Sequence, residues 1–229
     1  DSQGHASQMF GLPDENGLFA ALIEKKPLAE IVREVPTERY VDDMHMSING
    51  HLYVLPSSDL TYRVPYELQQ HETFLFLEKL EELGDLLKLD VILIDTNPTL
   101  SLFDGAVYLA ADGYIYVTEC ERLSMDGVQN AIEQMTRAKQ QREKYLNRVS
   151  RIMGIIPNKM RPSTTVHRMN ISLIAEAFPG LVWSPVTQRT AWVEAANVQE
   201  SIFRYAPDGQ EARDAWTIVK RTMEALNAE

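Results

Sequence analysis

The chain has 229 residues, 45% apolar and 24% charged, the ordinary composition of a globular protein. No apolar run approaches the roughly 20 residues that span a bilayer, the first residues lack the features of a signal peptide, and the lone Cys120 cannot form an internal disulfide. A single cytoplasmic domain with no membrane partner is therefore expected, and its net charge of −11 argues against indiscriminate binding to nucleic acid.

Strand-like and helix-like segments alternate along the chain. His51 to Leu55 reads as a strand stopped by Pro56. Pro65 to Leu83 carries Leu68, Phe74, Leu75, Leu77, Leu80 and Leu83 at near-helical spacing, with Gly84 placed to end the helix. Leu89 to Ile94 is an apolar run fitting a strand covered on both faces. Gly113 to Glu119 is another strand, and Ser124 can cap a long helix whose Val128, Ile132, Met135, Ala138, Tyr145 and Val149 share a face. Arg151 to Ile156 returns as a strand into Pro157-Asn158. Thr165 to Phe178 reads as a helix, Leu181 to Ser184 as a short strand and Asp208 to Leu226 as a terminal helix. Such alternation predicts an α/β fold, one domain over residues 1–229, with a mostly parallel sheet and helices on both faces. Charge is uneven along it. Between residues 137 and 168 nine bases face only Glu143, a net of +8 that leaves −19 elsewhere. That stretch could meet phosphates or form the solvated side of a helix.

Candidate chemistry gathers at strand ends. The Leu89–Ile94 strand delivers Asp95 to a polar Thr-Asn-Pro-Thr turn, and ligands of open parallel sheets sit beyond such carboxyl ends. An acid there can hold a metal, or can simply cap the next turn. Four loops are predicted at that edge: Asp1 to Gly4, Asp95 to Pro98, Glu119-Cys120-Glu121 and Pro157-Asn158-Lys159. Two of them are rich in carboxylates and amides rather than arginine, which favours a metal–phosphate ligand. Other chemistries lack support. There is no His-Glu-x-x-His or Cys/His zinc spacing, no Gly-x-Ser-x-Gly elbow, no Gly-x-Gly-x-x-Gly and no Gly-x-x-x-x-Gly-Lys-[Ser/Thr] loop. Cys120 could be drawn with His5, His51 or His71, but a buried, inert thiol is the commoner state.

The order of these segments resembles the ParA/MinD family of P-loop ATPases, and in particular the ParA (Soj-like) partition ATPases. Asp1-Ser2-Gln3-Gly4-His5-Ala6-Ser7 is similar to Asp-Pro-Gln-Gly-Asn-Ala-Thr, with Ser2 in place of Pro. Leu52-Tyr53-Val54-Leu55-Pro56-Ser57 resembles "LxVLPS", and Ile92 to Leu100 resembles "ILIDxPPSL" with Asn97 in place of the first Pro. Glu119-Cys120-Glu121 with Met125-Asp126-Gly127 is similar to "QCE…LEG", and Gly154-Ile155-Ile156-Pro157-Asn158 to "GILPN". Glu194-Ala195 and Tyr205-Ala206-Pro207 resemble "AEA" and "YDP".

The resemblance implies an ATP- and Mg²⁺-dependent ATPase. It would dimerise with itself, bind DNA non-specifically on the nucleoid, and position plasmid, chromosome or other cargo when a ParB-like partner triggers hydrolysis. Asp1 would match the switch I aspartate that positions water and contacts Mg²⁺, and Asp95 the second Mg²⁺-side acid. Asn97 and Pro98 would lie in switch II, Asn158 would read the adenine edge, and the loop after Pro185 would close over the base. Arg189, Lys220 and Arg221 fall near the family's DNA-contacting bases. The family's strand, deviant phosphate loop and first helix would precede Asp1. The natural protein is thus expected to extend upstream by roughly 30–40 residues, about one βαβ unit. The alternative reading is a non-hydrolysing adaptor that keeps the fold and binds DNA or a partner protein without ATP turnover.

Overall fold

The computed structural model describes residues 4–13, 15–41, 50–68, 72, 74–96 and 102–227. The chain forms two compact units, Asp1–Ala111 with Gln199–Ser201, and Asp112–Val198 with Ile202–Glu229.

In the first unit, α1 (His5–Met9), α2 (Gly17–Leu22) and α3 (Leu28–Ile31) lead to β1 (Arg33–Glu34). β1 pairs antiparallel with β2 (Tyr53–Val54), Arg33 opposite Val54. α4 (Val64–Glu67), α5 (Leu75–Leu87) and α6 (Leu102–Ala110) follow. Ala20, Ala21, Leu28, Ile31 and Leu83 form the core here. A capping box at Ser58 closes the turn before α4: the Leu60 amide donates to Ser58 Oγ at 3.2 Å, and the Ser58 amide to Thr61 Oγ1 at 3.3 Å.

Three sequence expectations are corrected in this unit. The His51–Leu55 strand shrinks to Tyr53–Val54, because β1 offers only two residues to pair with. The Pro65–Leu83 helix is two helices, and Gly84 lies inside the second. Chain reversal comes at Lys88, in left-handed conformation at φ 51°, whose amide bonds to the Gly84 carbonyl. The Leu89–Ile94 strand is not a strand. Residues 91–94 alternate between exposed and half-buried as extended chain does, but none of the described residues pairs with them in a ladder, and Leu93 is 82% exposed. An apolar run becomes a buried strand only when neighbours bond to both its edges.

The second unit carries the parallel sheet. β3 (Gly113–Glu119) leads through α7 (Arg122–Leu146) to β4 (Arg151–Asn158), the long crossover that parallel neighbours require. The predicted Ser124 cap is corrected: α7 begins at Arg122 after an extended Glu121. α8 (Thr165–Ala177) packs Ile174 against Val128 of α7 and Ile155 of β4. The expected Leu181–Ser184 strand survives as backbone pairing along β4. Ile155 donates to the Leu181 carbonyl at 2.8 Å, Trp183 to Ile155 at 2.9 Å and Val186 to Pro157 at 2.8 Å. α9 (Thr190–Asn197), α10 (Ile202–Tyr205) and α11 (Gln210–Asn227) complete the unit. The Arg151 guanidinium donates to the last carbonyls of α11, Ala225 and Leu226, where a cation also suits the helix dipole. The α/β class with its parallel ladder is as expected, while α7's apolar face is shorter than predicted: Val128 and Met135 are buried, but Tyr145 and Val149 are exposed.

Within the basic stretch most side chains face solvent, and Arg142 does not. It is fully buried, donating to the Asp112 carboxylate at 2.5 Å and to the Val149 carbonyl at 3.5 Å. This pins the last turn of α7 to the turns that open β3 and β4.

Two glycines give opposite predictions. A Cβ at Gly154 would lie 2.1 Å from the buried Trp183 ring, whereas one at Gly84 would meet nothing within 4 Å. Gly154→Ala should destabilise by about 1–3 kcal/mol through overpacking. Gly84→Ala should stabilise by about 0.5–1 kcal/mol through helix propensity. Thermal unfolding of the two variants against wild type checks both signs.

Candidate functional site

Glu119 and Asn158 are register partners at the carboxyl ends of β3 and β4, so the loops that follow start side by side. They open on a cleft of about 220 Å³ lined by Glu119, Cys120, Glu121, Lys159, Arg161, His167 and Gln188. Two of the four loops predicted at the sheet edge are thereby brought together. Cys120 Sγ donates to the Asn158 carbonyl at 3.4 Å, and Asn170 Nδ2 on α8 donates to the Cys120 carbonyl at 2.9 Å. The β4–α8 loop is bonded in turn to the segment after Pro185. Met160 donates to the Val186 carbonyl at 3.0 Å and Gln188 to Met160 at 2.9 Å.

One ion pair and one charge-assisted hydrogen bond line the mouth of the cleft. Lys159, in left-handed backbone at φ 52°, reaches Glu119 at 2.5 Å, and Arg161 Nε donates to Gln188 Oε1 at 2.6 Å. Deeper in, His167 accepts at Nδ1 from the Arg161 amide at 3.2 Å. That bond leaves the proton of the neutral ring on Nε2, which faces Glu121 Oε1 at 3.1 Å. Burial pushes the Cys120 thiol above its ordinary value, and the Glu121 and Glu119 carboxylates push it the same way. The thiol is 1% exposed and is a structural donor rather than a nucleophile.

Of the residues singled out in the sequence, Asp1, Asn97 and Pro98 lie outside the described residues. Asp95 is exposed, in the first unit. Asn158 and Pro185 come together, since the Val186 amide bonds to the Pro157 carbonyl. The Lys159 amide holds Asn158 Oδ1 at 2.9 Å, fixing the carboxamide plane. One oxygen lone pair and the amino group remain for a ligand, the acceptor–donor pair that an adenine edge requires. The base half of an ATP site therefore fits these residues. For the ion, no three His, Cys, Asp or Glu side chains among the described residues form a metal cluster. A single Asp95 suits Mg²⁺, which keeps its waters and takes one or two carboxylates plus phosphate oxygens.

The three expected DNA-side bases are all engaged. Arg189 sits 3.7 Å from Glu211, Lys220 lies 5.6 Å from the Trp216 ring centre, and Arg221 is 3.3 Å from Glu224. Among the described residues, no helix is long and apolar enough to cross a membrane.

The sequence reading did not single out His167, Asn170, Arg161 or Gln188 as parts of this cleft. The available signal was the spacing of His167, Asn170 and Ile174, which puts two polar side chains on the buried face of α8.

The buried thiol yields a prediction. Because its pKa is raised, the thiolate fraction at pH 8 lies below that of a free cysteine. Iodoacetamide should alkylate native Cys120 at least about tenfold more slowly than the urea-unfolded chain. Mass spectrometry over time checks it, and equal rates would contradict the burial.

Residues 1–148 match the AAA_31 family model, described as an AAA domain. IncC of Escherichia coli is 30% identical over 93 residues, covering 41% of this chain and 25% of IncC. The chain spans only 25% to 36% of the length of its first curated relatives. Apo McdA of Cyanothece superposes with a TM-score of 0.76 at 18% identity, covering 99% of this chain and 85% of McdA. A putative plasmid partition protein (BB_S35) of Borrelia burgdorferi B31, solved bound to AMPPNP, gives 0.69 at 14% identity, covering 98% and 84%. At these identities the structures speak for the fold, while the family model covers more than half of the chain and agrees with the motif order of the sequence. The chain belongs to the AAA domain family of that model, and within it to the ParA/MinD family of P-loop ATPases.

Proposed function

We propose that this chain belongs to a ParA-like ATPase that dimerises with ATP, binds DNA non-specifically and positions plasmid, chromosome or other cargo in the cytoplasm, on the nucleoid. The observation that carries the reading is the AAA domain match over residues 1–148. The backbone bonds of Pro157 and Met160, on either side of Asn158, to Val186 after Pro185 support it. ATP with Mg²⁺, when bound, supplies the phosphoryl chemistry.

The chain's own residues hold and orient. Asp1 places the attacking water, and Asp95 with Asp1 forms the acidic side toward Mg²⁺. Asn97 and Pro98 belong to switch II. Asn158 takes the adenine edge, with the Pro185 loop against the base. A shielded phosphate site in a dimer would keep out bulk water and strengthen electrostatic positioning. The ParB-like partner would act on that assembly.

DNA contact rests on Arg189, Lys220 and Arg221. Their present partners are part-exposed, and exposed ion pairs are worth only about 0–1 kcal/mol, so phosphates can displace them. The exposed bases Arg137, Lys144 and Arg148 offset the acidic total locally.

Three measurements test the reading in the full-length protein. Asp1→Ala should retain ATP binding and lose partner-stimulated turnover; loss of both would sink its assigned role. DNA affinity should appear only with ATP and fall steeply with salt, the log–log slope shrinking by about 1 for Arg189→Ala. ATP-independent DNA binding would instead favour the adaptor reading.

A further inference from the structure

We infer that His167 is a positioning residue for the base half of the nucleotide site, acting through the loop that follows Asn158. The inference rests on the reading of Asn158 as the base-contacting residue.

Between Asn158 and α8 the chain must turn back across the end of β4, and three kinds of contact fix its path. Backbone bonds tie Met160 to Val186 and Gln188. The Thr164 amide closes onto the Arg161 carbonyl at 2.9 Å. The third contact is the side chain of His167, whose Nδ1 receives the Arg161 amide while Nε2 reaches Glu121, the residue between β3 and α7. One 6%-exposed ring thus bridges the loop after β4 to the loop after β3. Asn170, one turn further along α8, holds the Cys120 carbonyl, and Cys120 holds the Asn158 carbonyl.

The contacts differ in kind. Lys159–Glu119 and Arg161–Gln188 lie at the exposed mouth, where water and salt compete. The His167–Arg161 bond joins a buried ring to a part-buried backbone amide. Deleting the ring leaves that amide without its acceptor and frees the loop that follows Asn158. Asn158 does not move by itself; its carboxamide plane is fixed by the Lys159 amide, and Lys159 lies two residues before the clamped position. A displaced loop therefore tilts the group that would read the base.

Side-chain length separates the two bonds of His167. His167→Asn keeps an acceptor at the Nδ1 position for the Arg161 amide and gives up Glu121. His167→Gln keeps a donor toward Glu121 and gives up the Arg161 amide. Dissociation constants for ATP and GTP are measured by fluorescence titration on the full-length protein, with KM and kcat alongside. His167→Ala and His167→Gln should weaken ATP binding by about fivefold to tenfold and narrow ATP-over-GTP discrimination, raising KM with kcat retained. His167→Asn should stay within about twofold of wild type. Should His167→Ala fail to fold, the Asn and Gln variants carry the comparison. If wild type binds ATP and the Asn and Gln variants bind it equally well, the positioning role is overturned while the nucleotide reading stands. A wild type that fails to bind ATP overturns the nucleotide reading and this inference with it.

Discussion

β4 is hydrogen-bonded along both edges, to β3 on one side and to residues 181–186 on the other. The polar arrangement of the second unit depends on that constraint. A strand held on two sides cannot slip by one residue without reversing every side chain, so the position of Asn158 is set by the whole ladder. Gly154 shows how tight the constraint is, since Trp183 of the flanking segment occupies the volume a Cβ would need. The turns opening the two strands are pinned as well, by the buried Arg142 between Asp112 and Val149.

An acidic chain that carries a local excess of base has to keep those bases outside to use them. The fold does so with one exception. Arg142 is withdrawn from the basic face and spent on structure, where its several donors reach a carboxylate and a carbonyl together. Among the described side chains of α7, Val128, Met135 and Arg142 are buried, while Arg137 and Lys144 are exposed. Counting charges along the sequence therefore overstates the face by one cation and says nothing of its direction.

Legibility in the sequence followed the reach of the forces involved. β3, β4, α7, α8 and α11 were readable because their apolar spacing is long and their partners lie within the same unit. The Leu89–Ile94 run was misread because its composition states only that it could be buried, while a strand needs a paired neighbour, which none of the described residues supplies. The Pro65–Leu83 pattern ran through a break because helical spacing persists across a short interruption. The roles expected of Asn158 and Pro185 come only from the family resemblance; neither residue is distinctive by itself. His167 and Asn170 were missed because a polar residue on the buried face of a helix looks like an interruption of the apolar stripe until its partner is known.

A side-chain pair such as Lys159–Glu119 can be replaced by water, and half-exposed as it is, it adds little rigidity. The bonds from α8 end on backbone: His167 on the Arg161 amide, Asn170 on the Cys120 carbonyl. Backbone groups taken from water must be satisfied, so each bond removes a conformation of the loop rather than merely adding an attraction. The cleft thus has a rigid floor held by α8 and a labile, salt-sensitive rim. A ligand that brings its own charges can rearrange the rim at small cost while the floor keeps Asn158 in place.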